Sequence, residues 1–263
     1  MAIQADFHLH SDFSNDSWTP MGTMVEAALA RGLKEICFTE HTDLGGPRSY
    51  YCDMQTYREI VEALNARYAG RICLRAGAEF GLQRGTAEEI QQFYDRFDFD
   101  FVILSCHRID GMSLWDPEFL GESGDKACVR RYFEAVLNAA KAFKHYCVLG
   151  HLDLIARYHS KGPAVLQLAR DLVEEILRLA IEDGKGIEVN TSSFRYRVSD
   201  LTPSREILRL YRQLGGEIIT LGSDAHDSNF IADHFETVGD ILRDMGYRHY
   251  CTFKNMQPVW HRL

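Results

Sequence analysis

Apolar runs of strand length recur along this chain, separated by longer stretches in which apolar residues return at helical spacing. The runs are Ile3 to His8, Glu35 to Thr39, Ile72 to Glu79, Phe101 to His107, Tyr146 to Gly150, Gly186 to Asn190 and Ile218 to Leu221. Their lengths predict buried strands. Between them, Met24, Val25, Ala28 and Leu29 form one apolar stripe stopped by Gly32; Tyr57, Ile60, Val61, Leu64 and Tyr68 form another stopped by Gly70. Later segments predict helices through Val129 to Phe143, Ala164 to Glu182, Pro203 to Leu214 and Phe230 to Met245. These stripes are core-facing surfaces.

Strands that alternate with helices favour parallel βαβ units over an antiparallel sheet. A chain of 263 residues is an ordinary length for one α/β barrel, TIM-like in build, so the expectation is a single domain spanning 1–263. No internal repeat, low-complexity stretch or linker divides it. His249 to Phe253 is read as an eighth short strand or an edge piece. In a barrel of this kind the active site lies at the carboxyl ends of the strands.

Composition narrows the function classes. A formal net charge of -9 without a basic run disfavours nucleic-acid binding, because phosphate backbones are held by clustered Lys and Arg. The seven cysteines are scattered without Cys-x-x-Cys spacing, which indicates neither a disulfide framework nor a structural zinc ribbon. Cys37 and Cys106 are read as packing residues. No apolar stretch reaches membrane-spanning length and no signal segment opens the chain, so a cytoplasmic protein with no membrane partner is expected. Oligomeric state is left open.

The residues that end the apolar runs supply the candidate chemistry. They are Asp6-Phe7-His8-Leu9-His10, Glu40-His41, Glu79, His107, His151 and Asp224-Ala225-His226. Strand side chains alternate between faces, so Asp6, His8 and His10 are expected on one face, as are Asp224 and His226. One histidine of this kind is ordinarily a hydrogen-bonded core or surface residue. Their recurrence at one end of successive strands points instead to imidazole and carboxylate ligands gathered for divalent metals, which activate water. A hydrolase is expected.

At these residues the chain resembles the polymerase-and-histidinol-phosphatase (PHP) family of metal-dependent phosphoesterases, which fold as a distorted seven-stranded (β/α)7 barrel. The resemblance runs from His8-Leu9-His10 and Ser14-Asn15-Asp16-Ser17, through Thr39-Glu40-His41, Gly77-Ala78-Glu79, Ser105-Cys106-His107 and Gly150-His151-Leu152-Asp153, to Ser223-Asp224-Ala225-His226. Asp153-Leu154-Ile155-Ala156-Arg157 and Asn190-Thr191-Ser192-Ser193-Phe194-Arg195 are similar to segments of its monofunctional histidinol-phosphate phosphatases. The resemblance implies three divalent metal positions, for zinc, iron or manganese: His8, His10, Glu79 and Asp224; Glu79, His107 and His151; Asp16, His41 and His226. Glu79 would bridge the first two with its two oxygens. Asp16 lies in a polar loop and also reads as a turn or helix-cap residue.

The same resemblance places Arg157 and Arg195 against a substrate phosphate, a role that suits a guanidinium fork. The implied reaction is hydrolysis of L-histidinol phosphate by a hydroxide held between metals. Protonation of the leaving oxygen falls to Asp153, a metal-bound water or His159, and Asp153 reads equally well as support for His151. Asn190 contacts substrate or caps the barrel mouth, and Glu40 is read as structural. The long loop Arg108 to Gly124, with Asp110, Trp115, Asp116 and Glu118, is expected as a substrate wall or lid. A phosphoesterase for a sugar phosphate or nucleotide, and a non-catalytic metal-binding barrel, are the competing readings.

Overall fold

The computed structural model describes residues 3–45, 49–121 and 126–263. Four strands come first: β1 (Ala5–Leu9), β2 (Glu35–Asp43), β3 (Cys73–Gly81) and β4 (Phe101–Ser105). A two-stranded ribbon follows, β5 (Arg108–Ile109) with β6 (Met112–Ser113). The main sheet then resumes with β7 (Val148–Leu149), β8 (Gly186–Asn190) and β9 (Ile219–Gly222). Its order is β1-β2-β3-β4-β7-β8-β9, with every pairing parallel. Parallel neighbours need crossovers, and helices supply most of them.

The sheet curls until its first and last strands meet. Leu9 bridges Ala225 in parallel, Asp224 N–H donates to the His8 carbonyl at 2.8 Å, and His10 N–H donates to the Ala225 carbonyl at 3.0 Å. These bonds bring the two ends of the chain's site motifs together. The result is a nearly closed seven-stranded β/α barrel.

The helices are α1 (Met21–Ala30), α2 (Met54–Arg67), α3 (Ala87–Tyr94), α4 (Pro117–Leu120), α5 (Lys126–Ala142), α6 (Leu166–Glu182), α7 (Ser192–Arg195), α8 (Arg205–Gln213) and α9 (Phe235–Asp244). Their local causes are readable. Asp53 caps α2 by accepting from the Thr56 N–H at 3.2 Å, and Tyr57 and Val61 on its inner face are buried. In α5, Val129, Tyr132, Phe133, Val136 and Leu137 recur at helical spacing and are buried.

Three expectations change. His249 to Phe253 is not an eighth barrel strand: β10 (His249–Lys254) pairs antiparallel with β11 (Gln257–Arg262) as a separate hairpin. Its turn is anchored by Asp100, which accepts from the Asn255 N–H, and Phe253 packs on Phe101 at 5.2 Å, sealing the barrel end away from the site. The helix expected from Phe230 to Met245 begins only at Phe235, because Ala232 and His234 adopt left-handed backbone angles that no α-helix accommodates. Finally, β1 slips register by one residue between Asp6 and Leu9. Asp6 therefore leaves the face it was expected to share with His8 and His10. Its carboxylate accepts from the Ser223 and Ala232 amides at 2.9 and 2.8 Å.

No helix of the described residues is long and apolar enough to cross a membrane.

Candidate metal centre

Each strand delivers its polar residues to the same end of the barrel. β1 carries His8, with His10 just beyond it; β2 carries His41 and Asp43; β3 carries Glu79. His107, His151, Asp224 and His226 follow the ends of β4, β7 and β9. His8, His10 and Glu79 have no exposed surface at all. An isolated buried carboxylate is costly, so Glu79 needs partners.

It has five. Glu79 Oε2 lies 3.2 Å from His8 Nε2, 3.5 Å from His10 Nε2 and 3.0 Å from His41 Nδ1. The other oxygen, Oε1, lies 3.1 Å from His107 Nε2 and 2.8 Å from His151 Nε2. One carboxylate thus presents each oxygen to a different set of imidazoles. Asp224 Oδ1 stands 3.7 Å from His8 Nε2 and 3.6 Å from His10 Nε2. On the outer side, Asp16 faces His41 Nε2 at 3.5 Å and His226 Nε2 at 3.3 Å.

Electrostatics reflect this crowding. Burial alone would depress the His8 imidazole, but Glu188, Glu79 and Asp224 beside it outweigh that and hold it well above its ordinary range. His107 is raised to about 10, since Asp43 and Glu79 outweigh its burial. Burial would raise Glu79, yet His8, His107 and His41 hold it well below the usual carboxylate range. His10 moves the other way: burial and three neighbouring histidines depress it. Its Nε2 meets His8 Nε2 at 3.1 Å. Two imidazole nitrogens converging in a dry space, with carboxylates opposite, form a donor set that suits a divalent cation. The His151 Nδ1 atom is buried without a hydrogen-bond partner, which further fits side chains arranged for something other than each other.

Several outer contacts set these side chains in place. Glu188 Oε1 lies 2.5 Å from His8 Nδ1. Asp43 meets His107 Nδ1 with both oxygens, at 3.0 and 3.1 Å. His10 Nδ1 lies 3.0 Å from Ser14 Oγ, which donates to Glu40 at 2.6 Å. Glu40 is structural as expected, holding Ser11 and Ser14. Asp43 and Glu188 were missed. Asp43 follows His41 by two on one strand, so same-face spacing could have found it. Glu188, a carboxylate inside an apolar strand run, was a signal of the same quality.

Above the cluster opens a cavity of about 380 Å³, lined by Asp16, His41, Asp43, His107, His151 and Asp224 below, and by Arg108, Leu114, Trp115, Arg157, Tyr158 and Tyr196 around its rim. That volume takes a small metabolite. Arg157 donates to Ser192 Oγ at 2.8 Å and lies 3.7 Å over the Tyr196 ring. Arg195 is not among the residues that line the cavity; it donates to the Asp224 carbonyl at 2.8 Å, beside the cluster.

Other expected positions differ. Asp153 does not line the cavity; its Oδ2 accepts from the Ser204 amide at 2.9 Å, at the start of α8. His159 is likewise off the lining, its Nδ1 accepting from the Lys161 amide at 3.1 Å. Asn190 serves the network: it accepts from the Ser192 amide and donates to Glu188. In the loop Arg108 to Gly124, whose residues 122–124 lie outside the described residues, Trp115 reaches the rim, 5.8 Å from the Tyr158 ring. Its acids do not: Asp110 pairs with Arg131 and Asp116 accepts from the Ser113 amide, while Glu118 is exposed and off the lining. Local folding took up two of the charges that the composition suggested for substrate, those of Asp110 and Asp116.

A barrel whose strand ends gather nine histidine, aspartate and glutamate side chains, five of the histidines around the Glu79 carboxylate, has the donor set of a metallohydrolase. The PHP domain family model matches residues 6–192, and the chain belongs to that family. It is 33% identical to the histidinol-phosphatase of Lactococcus lactis over 256 residues, covering 96% of this chain and 95% of that one. The histidinol-phosphatase of Bacillus subtilis is 25% identical, covering 88% of this chain and 96% of its own. In three dimensions the chain is similar to the crystal structure of histidinol phosphate phosphatase from Lactococcus lactis complexed with zinc, L-histidinol and phosphate. The TM-score is 0.89 at 31% identity, covering 97% of this chain and 98% of that one.

Proposed function

We infer that this chain is a metal-dependent phosphoric monoester hydrolase that converts L-histidinol phosphate to L-histidinol and inorganic phosphate, a step of histidine biosynthesis. The observation that carries it is Glu79, whose two oxygens divide two sets of imidazoles beneath a cavity that also presents an arginine. The substrate is supported by the relative of known name and by the solved structure that holds zinc, L-histidinol and phosphate.

We assign three metal positions, for zinc, iron or manganese. His8, His10, Glu79 and Asp224 make the first, Glu79, His107 and His151 the second, and Asp16, His41 and His226 the third. Support comes from ligand atoms that approach within 4.8 Å of one another in the groups His8-His10-Glu79, Glu79-His107-His151 and His10-His41-His226. Divalent ions bound there would supply Lewis acidity and lower the pKa of water enough to give hydroxide at neutral pH.

The protein's own groups do the rest. Arg157, steadied by Ser192 and the Tyr196 ring, keeps further N–H donors for phosphate oxygens and loses little freedom on meeting them. Arg195 adds a second cation beside Asp224. Their charges stabilise the phosphoryl group as it transfers. Trp115, Tyr158 and Tyr196 form an aromatic rim for the imidazole end of the substrate. Asp153 supports the start of α8 through Ser204.

The test is metal removal. Chelator-treated protein, shown metal-free by elemental analysis, should not turn over histidinol phosphate, and added manganese, iron or zinc should restore turnover. Full activity in the metal-free protein would overturn the assignment.

A further inference from the structure

Glu188 sits in the middle of β8, 1% exposed, one residue removed from the ligand cluster. Its Oε1 lies 2.5 Å from His8 Nδ1. Its Oε2 accepts from the His151 backbone N–H at 2.7 Å and from Asn190 Nδ2 at 3.2 Å. The space for this arrangement is built in. A Cβ on Gly222 would fall 2.3 Å from Glu188 Oε1 and 2.4 Å from His8 Cβ, so any side chain there would force the pair apart.

We propose that Glu188 is a positioning residue that fixes the tautomer of His8 and ties the His151 backbone to the same carboxylate. The proposal rests on the reading of His8 and His151 as metal ligands. A neutral imidazole has one N–H, and an ionised carboxylate only accepts. In the neutral form that a cation requires, the one proton of His8 is therefore held on Nδ1, which leaves Nε2, 3.2 Å from Glu79 and 3.7 Å from Asp224, as the nitrogen free to bind the cation. Hydrogen bonding by the carboxylate also makes that nitrogen a better donor to a cation. Since His8 and His151 belong to different metal positions, one carboxylate aligns both. Asp43 stands to His107 as Glu188 stands to His8, although it holds no second ligand's backbone.

Glu188→Gln separates this role from mere packing, because glutamine keeps the volume but has one accepting oxygen. Two donors, the His151 amide and Asn190 Nδ2, draw that oxygen to their side. The NH2 group is then left against His8 Nδ1, which drives the His8 proton onto Nε2 and blocks the ligand atom. Zinc affinity, measured by chelator competition, should fall about 10- to 100-fold. The metal-free variant should unfold at a temperature close to wild type. An independent measurement uses wild-type, zinc-loaded protein labelled with ¹⁵N-histidine, with His8 assigned by its loss in His8→Gln. Its long-range ¹H–¹⁵N pattern should show the proton on Nδ1. Wild-type zinc affinity in folded Glu188→Gln, or a His8 proton on Nε2 in the wild type, overturns the proposal. A wild-type chain that takes up no zinc overturns the ligand assignment itself, which distinguishes the two failures.

Discussion

The two arginines differ in what else they hold. Arg157 bonds a serine hydroxyl and lies against aromatic side chains, whereas Arg195 grips the carbonyl of Asp224, a proposed ligand. Arg157→Ala should lower kcat/KM by roughly 2–4 kcal/mol, the usual cost of a lost charge-stabilising donor, with metal content unchanged. Arg195→Ala should lower kcat/KM and also loosen metal, because Asp224 loses one of the bonds that hold its backbone. Elemental analysis beside steady-state kinetics separates them; equal metal loss in both variants would contradict the distinction. Asp153 makes a different prediction. Burial raises its carboxyl from 3.8 to about 7, so the unfolded chain gives up this proton first as pH rises. The stability it contributes is whole below about pH 4 and is lost as pH climbs to about 7. Relative to Asp153→Asn, the wild type should lose roughly 4 kcal/mol across that interval, measured by denaturant unfolding at each pH. A difference that does not vary with pH would show that the carboxyl is not perturbed.

At the scale of elements, the positions of the parallel strands were legible because burial on both faces leaves long apolar runs, and the Gly186–Asn190 strand matches its sequence boundaries. The clustering of the candidate ligands was legible for a related reason: strand ends are fixed points, and polar residues there stand out. What pattern could not supply was backbone irregularity. The slip in β1 that turns Asp6 away depends on its pairing with β2, which no local spacing records. The left-handed residues before α9 and the loop acids taken up by Arg131 and Ser113 are likewise settled by neighbours distant in sequence. The β10–β11 hairpin is the clearest case. Its two strands could not be told from a barrel strand by length, yet it plugs the barrel with Phe253 against Phe101. Phe253→Ala should destabilise the fold by about 3–5 kcal/mol while leaving kcat of the folded protein unchanged, since the hairpin lies at the end away from the site. Thermal unfolding and kinetics at low temperature check this together; lost kcat without lost stability would contradict it.

The molecule as a whole carries a formal net charge of -9, yet its inferred substrate is an anion. Local charge resolves this: cations held by the proposed ligands, with Arg157 and Arg195 beside them, would make the field at the barrel mouth differ from that of the surface. Phosphate recognition alone would accept any monoester. Preference for one must come from the rim, where Trp115, Tyr158 and Tyr196 leave room for a flat ring, and contacts that tighten in the transition state appear in kcat/KM. The decisive measurement is therefore kcat/KM for histidinol phosphate beside p-nitrophenyl phosphate, a sugar phosphate and a nucleotide, in one metal-loaded preparation. Histidinol phosphate should be preferred by about 100-fold or more, as a site that pairs its polar groups with one substrate disfavours analogues lacking them. Equal or lower efficiency on histidinol phosphate would contradict the assignment.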